Sequence, residues 1–103
     1  CQSGVWKSAK TGAYSLGQNG FKVLDTDTGL MMQWGFTSSH GDNSSACFTT
    51  PFKTAVLNVS VVSMGRQVHE DNGHDYIGSV NNSCFTFTSE PGASGTSWFA
   101  LGY

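Results

Sequence analysis

Two apolar runs on either side of a short polar turn do more than any other feature to limit what this chain can become. Gly20-Phe21-Lys22-Val23-Leu24 leads into Asp25-Thr26-Asp27-Thr28-Gly29, and Leu30-Met31-Met32-Gln33-Trp34-Gly35-Phe36 follows. Two such runs around a Gly-containing loop predict a β-hairpin. Period-two alternation in the second run sets Leu30, Met32, Trp34 and Phe36 on one face, with Met31 and Gln33 opposite. The pattern recurs along the chain. Residues 37–46 read as polar loop, and Cys47-Phe48-Thr49-Thr50-Pro51-Phe52 as a strand that Pro51 ends or places at an edge. The clearest strand is 55–64, with Leu57, Val59 and Val61 on one face. Residues 76–80 and 84–89 flank the turn 81–83 as another hairpin, and 97–103 form a last strand. This spacing predicts an all-β fold, an antiparallel β-sandwich of about seven short strands. Residues 20–103 make one domain, and the Gly/Ser-rich, weakly periodic residues 1–19 read as a connector leading into it.

With 103 residues the chain closes a single core. Only 12% of it is charged and its net charge is −2, so no nucleic-acid partner is expected. No apolar run reaches the roughly 18–20 residues of a membrane-spanning helix, and no secretory signal pattern is present. The scarcity of Lys and Glu, with 13 glycines and many Ser and Thr, suits an extracellular β-protein better than a cytosolic enzyme.

Polar side chains able to engage a ligand gather in two loops. One carries His40, Asp42 and Asn43; the other carries Arg66, His69, Glu70, Asp71, Asn72, His74 and Asp75, with Tyr76 beside it. Loops held by a rigid sandwich are where recognition residues usually sit. Planar polar groups beside an aromatic ring suit sugar hydroxyls and C–H faces, and Arg66 suits phosphate or acidic sugars. Turn chemistry alone also selects these residue types. Trp34, Phe36, Phe48, Phe85, Phe87 and Phe99 alternate as core residues do, each contributing about 1.5–3 kcal/mol if buried.

Enzymatic and metal chemistry find little support. A glycosidase needs two carboxylates facing each other across a defined gap, whereas Asp25 and Asp27 sit in a hairpin turn and Glu70, Asp71 and Asp75 share one loop. No catalytic Ser/His/Asp spacing is present. Asp25-Thr26-Asp27-Thr28-Gly29 begins like a calcium loop but lacks the later ligands, and His69 and His74 stand in a polar loop without a ligand set. No catalytic residue, metal or cofactor is expected.

Cys47 and Cys84 are each followed by Phe-Thr, so each sulfur faces away from a neighbouring core Phe. If their strands are adjacent the sulfurs meet, and closing the loop contributes about 3–4 kcal/mol in the chain-entropy model. The alternative is two buried free thiols. Cys1 is left over.

Two resemblances emerge from the residues. Gly20-Phe21, Gly29-Leu30, Gln33-Trp34-Gly35, Phe48 with Pro51-Phe52, the strand around Val59, and Trp98 through Tyr103 occur in an order that resembles phage tail-fibre C-terminal receptor-binding domains. The two threonines between Phe48 and Pro51 depart from that pattern. The opening Cys1-Gln2-Ser3-Gly4-Val5-Trp6 resembles the junction of shufflon-encoded PilV-type minor pilins of conjugative thin type IV pili, where inversion exchanges the C-terminal segment. Together they imply a non-enzymatic adhesin tip, exported through the periplasm to the pilus tip. An upstream pilin constant region would precede it, and lipopolysaccharide glycans of recipient cells would be its partner in conjugation. The tail-fibre resemblance also implies a homotrimer. A phage or phage-tail-like bacteriocin fibre tip is the alternative carrier, and a trimerisation module without ligand is a third reading.

Overall fold

The structure is a computed structural model, and it describes residues 12–65, 75–90 and 92–103. The described residues are all-β, in two antiparallel sheets. In chain order the strands are β1 (Tyr14–Ser15), β2 (Gly20–Asp25), β3 (Leu30–Thr37), β4 (Ser44–Cys47), β5 (Val56–Met64), β6 (Tyr76–Val80), β7 (Cys84–Thr88) and β8 (Gly95–Gly102). The larger sheet has the order β1-β2-β3-β8-β5 and the smaller β4-β7-β6.

The expected hairpin is present, and its turn chemistry explains it. Asp25 Oδ1 accepts from the Asp27 amide, Asp25 Oδ2 accepts from the Thr28 hydroxyl, and Gly29 adopts a φ of 83° that a side chain would disfavour. The second hairpin turns on Asn81, whose Oδ1 accepts the amides of Ser83 and Cys84 at 2.8 Å each.

The faces of β3 are the reverse of the expectation. Met31, Gln33 and Gly35 face the smaller sheet and are buried, while Leu30, Met32, Trp34 and Phe36 lie half-buried on the outer face. Two contacts cause the reversal. Trp98 of β8 lies directly over Gly35, where a Cβ would come within 2.4 Å of the indole, so only glycine leaves room for the buried ring. Gln33, fully buried, donates from Nε2 to the Thr50 carbonyl at 2.7 Å and accepts the Thr50 amide at 3.1 Å. A polar side chain is stable there because it acts as a one-residue strand partner for the loop.

Other expectations shift for related reasons. Residues 48–52 form a loop rather than a strand, because Gln33 takes up Thr50 and the amides of Phe48 and Phe52 donate to Ser83 and Asn82. The strand lies just before, at Ser44–Cys47, so that all of it but Cys47 falls within residues 37–46, which read as loop. A register shift between Val56 and Asn58 turns Leu57 outward to 56% exposure, while Val61 stays buried. Phe99, expected in the core, is 40% exposed on the outer face beside Trp34. Residues 12–19, expected as connector, are attached to the sheet: Tyr14 and Ser15 pair with β2, the Trp34 indole donates to the Gly17 carbonyl at 3.0 Å, and Asn19 Oδ1 accepts the Phe36 amide.

The core joins the sheets through aromatic rings in edge-to-face and tilted contact. Phe48 lies 4.9 Å from Phe52, 5.3 Å from Phe85 and 5.7 Å from Trp98, and Phe85 meets Trp98 at 5.6 Å. On the far side of the smaller sheet, Cys47 and Cys84 occupy opposed positions of β4 and β7 and form a disulfide.

Replacing Gln33 with leucine removes both bonds to Thr50 and leaves two backbone groups unpaired between the sheets. Gln33→Leu should lower unfolding stability by about 2–3 kcal/mol, measured by urea denaturation. If Leu30, Met32, Trp34 and Phe36 formed the core instead, the same change would be neutral or stabilising.

Candidate functional site: the loop end of the sandwich

Strand direction sorts the connections into two ends. The turn 26–29, the loop 48–55, the turn 81–83 and Tyr103 lie at one, the hairpin end. The loops 38–43 and 89–94, together with Gly65 and Asp75, lie at the other, the loop end. Residues 12–13 lie beside Val23, whose amide donates to the Ala13 carbonyl, and Val23 is opposite Met31 towards the hairpin end.

The loop end is held by a chain of hydrogen bonds running through hydroxyls. Thr96, fully buried, donates to the Ser39 carbonyl at 2.9 Å and shares a 2.8 Å contact with the buried Ser89 hydroxyl. The Ser89 amide donates to the Gly41 carbonyl, which also accepts the Ser44 hydroxyl. Gly41 and Asn43 take φ values of 90° and 54°, which let the loop reverse tightly into β4. Beyond it, Asp75 accepts the Ser63 amide at 2.9 Å and the Ser63 hydroxyl at 2.6 Å, and the same hydroxyl accepts the Glu90 amide.

The structure therefore brings several sequence candidates to one end. His40, Asp42 and Asn43 are exposed on the first loop, with His40 Nδ1 within 3.1 Å of the Ser38 carbonyl. Tyr76 stands at the start of β6, opposite Thr88, and is 56% exposed. Asp75 has a structural task, since both of its carboxylate oxygens accept hydrogen bonds from Ser63. Arg66, His69, Glu70, Asp71, Asn72 and His74 lie outside the described residues. Glu90 and Ser94 join this end unforeseen; the Ser94 amide donates to the Met64 carbonyl, and its side chain packs on Gly65. The Ser/Thr/Gly content of 89–96 marks it as a turn but does not say which loop it meets. Among the described residues, no three His, Cys, Asp or Glu side chains are placed to hold a metal ion.

A second surface is apolar. On the outer face of the larger sheet, Met32 is in register with Leu101, and Trp34 with Phe99. Val62 and Met64 of β5 extend this face and are both exposed.

An all-β sandwich with His40, Asp42, Asn43, Asp75 and Tyr76 at one end and an apolar outer sheet is a fold that suits a fibre-type domain. Residues 25–103 match the family of gp53-like tail fiber proteins at their C-terminal region, and the chain belongs to that family. It is similar to an N-truncated R2-type pyocin tail fiber, with a TM-score of 0.76 at 25% identity over 97% of this chain and 42% of that one. The C-terminal part of the P. aeruginosa R2 pyocin fiber gives a TM-score of 0.76 at 26% identity, over 88% of this chain and 25% of that one. An N-truncated R1-type pyocin tail fiber gives 0.66 at 25% identity, over 97% and 94%. The chain thus spans less than half the length of both R2-type fibres. A comparison with curated proteins gives no match.

Proposed function

We propose that this domain is the receptor-binding tip of an extracellular recognition fibre, and that its loop end binds lipopolysaccharide glycans on a target cell without enzymatic turnover. One observation carries the proposal: residues 12–13 lie beside Val23 towards the hairpin end, and the polar loop 38–43, Glu90 and Asp75 lie at the opposite end. A domain mounted this way offers that opposite end to a cell surface. Family membership supports the fibre context, and likeness to pyocin fibres favours a phage or phage-tail-like fibre as the carrier.

A specific sequence observation favours a second carrier. Cys1-Gln2-Ser3-Gly4-x-Trp6 resembles the exchangeable junction of PilV-type pilins. In that setting the domain is an interchangeable adhesin on a conjugative pilus, joined to the pilin constant region, and its glycan preference selects the recipient.

Individual sugar contacts are weak, so several copies acting together raise avidity by orders of magnitude. We propose that the domain works as a homotrimer whose copies meet on the outer face carrying Met32, Trp34, Phe99 and Leu101. A contiguous apolar face of that kind is what a copy-to-copy contact needs. Light scattering at low micromolar concentration should give a mass of about 33 kDa for three copies, and a stable 11.0 kDa species would rule the trimer out.

Recognition is tested with Arg66→Ala, Glu70→Ala and Tyr76→Ala combined, leaving Asp75 in place because it is bonded to Ser63 of β5. Attachment to target cells should fall by at least about tenfold while the melting temperature stays as it was. Unchanged attachment would remove the loop end as the binding surface.

A further inference from the structure

At the hairpin end, away from the loops argued above, two hollows lie on either side of Tyr103. The larger, of about 500 Å³, has Phe21, Val23 and Met31 on its apolar side. Thr26 and Asp27 of the hairpin turn and Lys53 and Thr54 of the β4–β5 connection supply its polar groups. The smaller, of about 470 Å³, is lined by Leu30 and Leu57 with Asp25 and Thr28. Thr28 and Tyr103 line both hollows, so the two adjoin at the tyrosine and together make a groove.

We infer that this groove is a second saccharide site, which takes a short neutral oligosaccharide draped across the Tyr103 ring. Its size falls in the range of small-molecule sites, and apolar walls with a few placed polar groups are the usual make-up of such sites. Sugars match that make-up because one face of a pyranose is C–H and its edge is hydroxyl. The C–H face packs on Tyr103 and on Met31. Hydroxyls exchange hydrogen bonds with Thr26, Thr54, Asp27 and Lys53, which together offer donors and acceptors.

Tyr103 is suited to be a platform because its backbone is pinned. Its amide donates to the Ala55 carbonyl at 2.9 Å, and its carbonyl accepts the amides of Thr54 and Ala55 at 2.7 and 2.8 Å. The residue as a whole remains 37% exposed. A fixed backbone in a partly exposed residue lowers the ordering cost of binding.

Charge selects among sugars. The larger hollow is lined by one cation, Lys53, and one carboxylate, Asp27, and in the smaller the Asp25 carboxylate is engaged by the Thr28 hydroxyl and the Asp27 amide. No excess of positive charge awaits a phosphate. The groove therefore favours neutral repeat-unit sugars over phosphorylated core sugars.

The test uses the full chain on an array of short neutral fragments of bacterial O-polysaccharides, with a phosphorylated core oligosaccharide alongside. At least one neutral fragment should bind. Tyr103→Ala should weaken it by about tenfold or more, Tyr103→Phe should keep it, and Thr26→Trp, which fills the groove from an exposed turn, should abolish it. The loop variant with Arg66, Glu70 and Tyr76 replaced should bind that fragment normally. Failure of folded protein to bind any neutral fragment would overturn the inference. So would full affinity in both Tyr103→Ala and Thr26→Trp, or a loss confined to the loop variant, which would assign the fragment to the loop end.

Discussion

Gln33 hydrogen-bonds through its side-chain amide to both backbone groups of Thr50, and the sandwich closes around that contact. It ties the middle strand of the larger sheet to the loop that follows β4. That loop brings Phe48 and Phe52 between the sheets, where they meet Phe85 and Trp98. Without the tie, the loop would have to find other partners for two backbone groups that water cannot reach freely. Trp98 adds the second constraint, since its ring fits only above Gly35. A polar amide and an absent side chain thus decide which face of β3 is core.

That decision has consequences for the surface. With Met31, Gln33 and Gly35 turned inward, the larger residues of β3 face outward and form an apolar sheet surface with Phe99 and Leu101. Residues 12–19 cover part of it, through the Trp34 and Asn19 hydrogen bonds. The same strand order carries the polar loops to one end and the Tyr103 groove to the other. An anchored frame leaves loop residues such as His40, Asp42 and Tyr76 exposed on a rigid base, which suits recognition.

Much of this was legible in the sequence, and the misses have physical causes. Both hairpins could be read from turn chemistry at Asp25–Gly29 and at Asn81–Ser83, because those bonds are local. The pairing of Cys47 with Cys84 was readable only as conditional on strand adjacency, which no local pattern encodes. Alternation along β3 showed two faces but ranked them by size, and hydropathy has no term for Gln33 replacing a strand partner. Leu57 shared the periodicity of Val59 and Val61 until a bulge turned it out. At the loop end, residue types marked His40, Asp42, Asn43 and Tyr76, but the link from Asp75 through Ser63 to Glu90 joins segments far apart in the chain. The Tyr103 groove draws on four segments, so no single stretch announced it.

If recognition resides in this domain, moving it should move the target. Residues 7–103 grafted in place of the tip of another fibre or pilin give a chimera whose attachment can be scored on a panel of cells with different surface polysaccharides. The chimera should adopt the cell preference of the donor of residues 7–103. A preference that stays with the recipient fibre or pilin body would mean that this domain is a spacer and that recognition lies elsewhere.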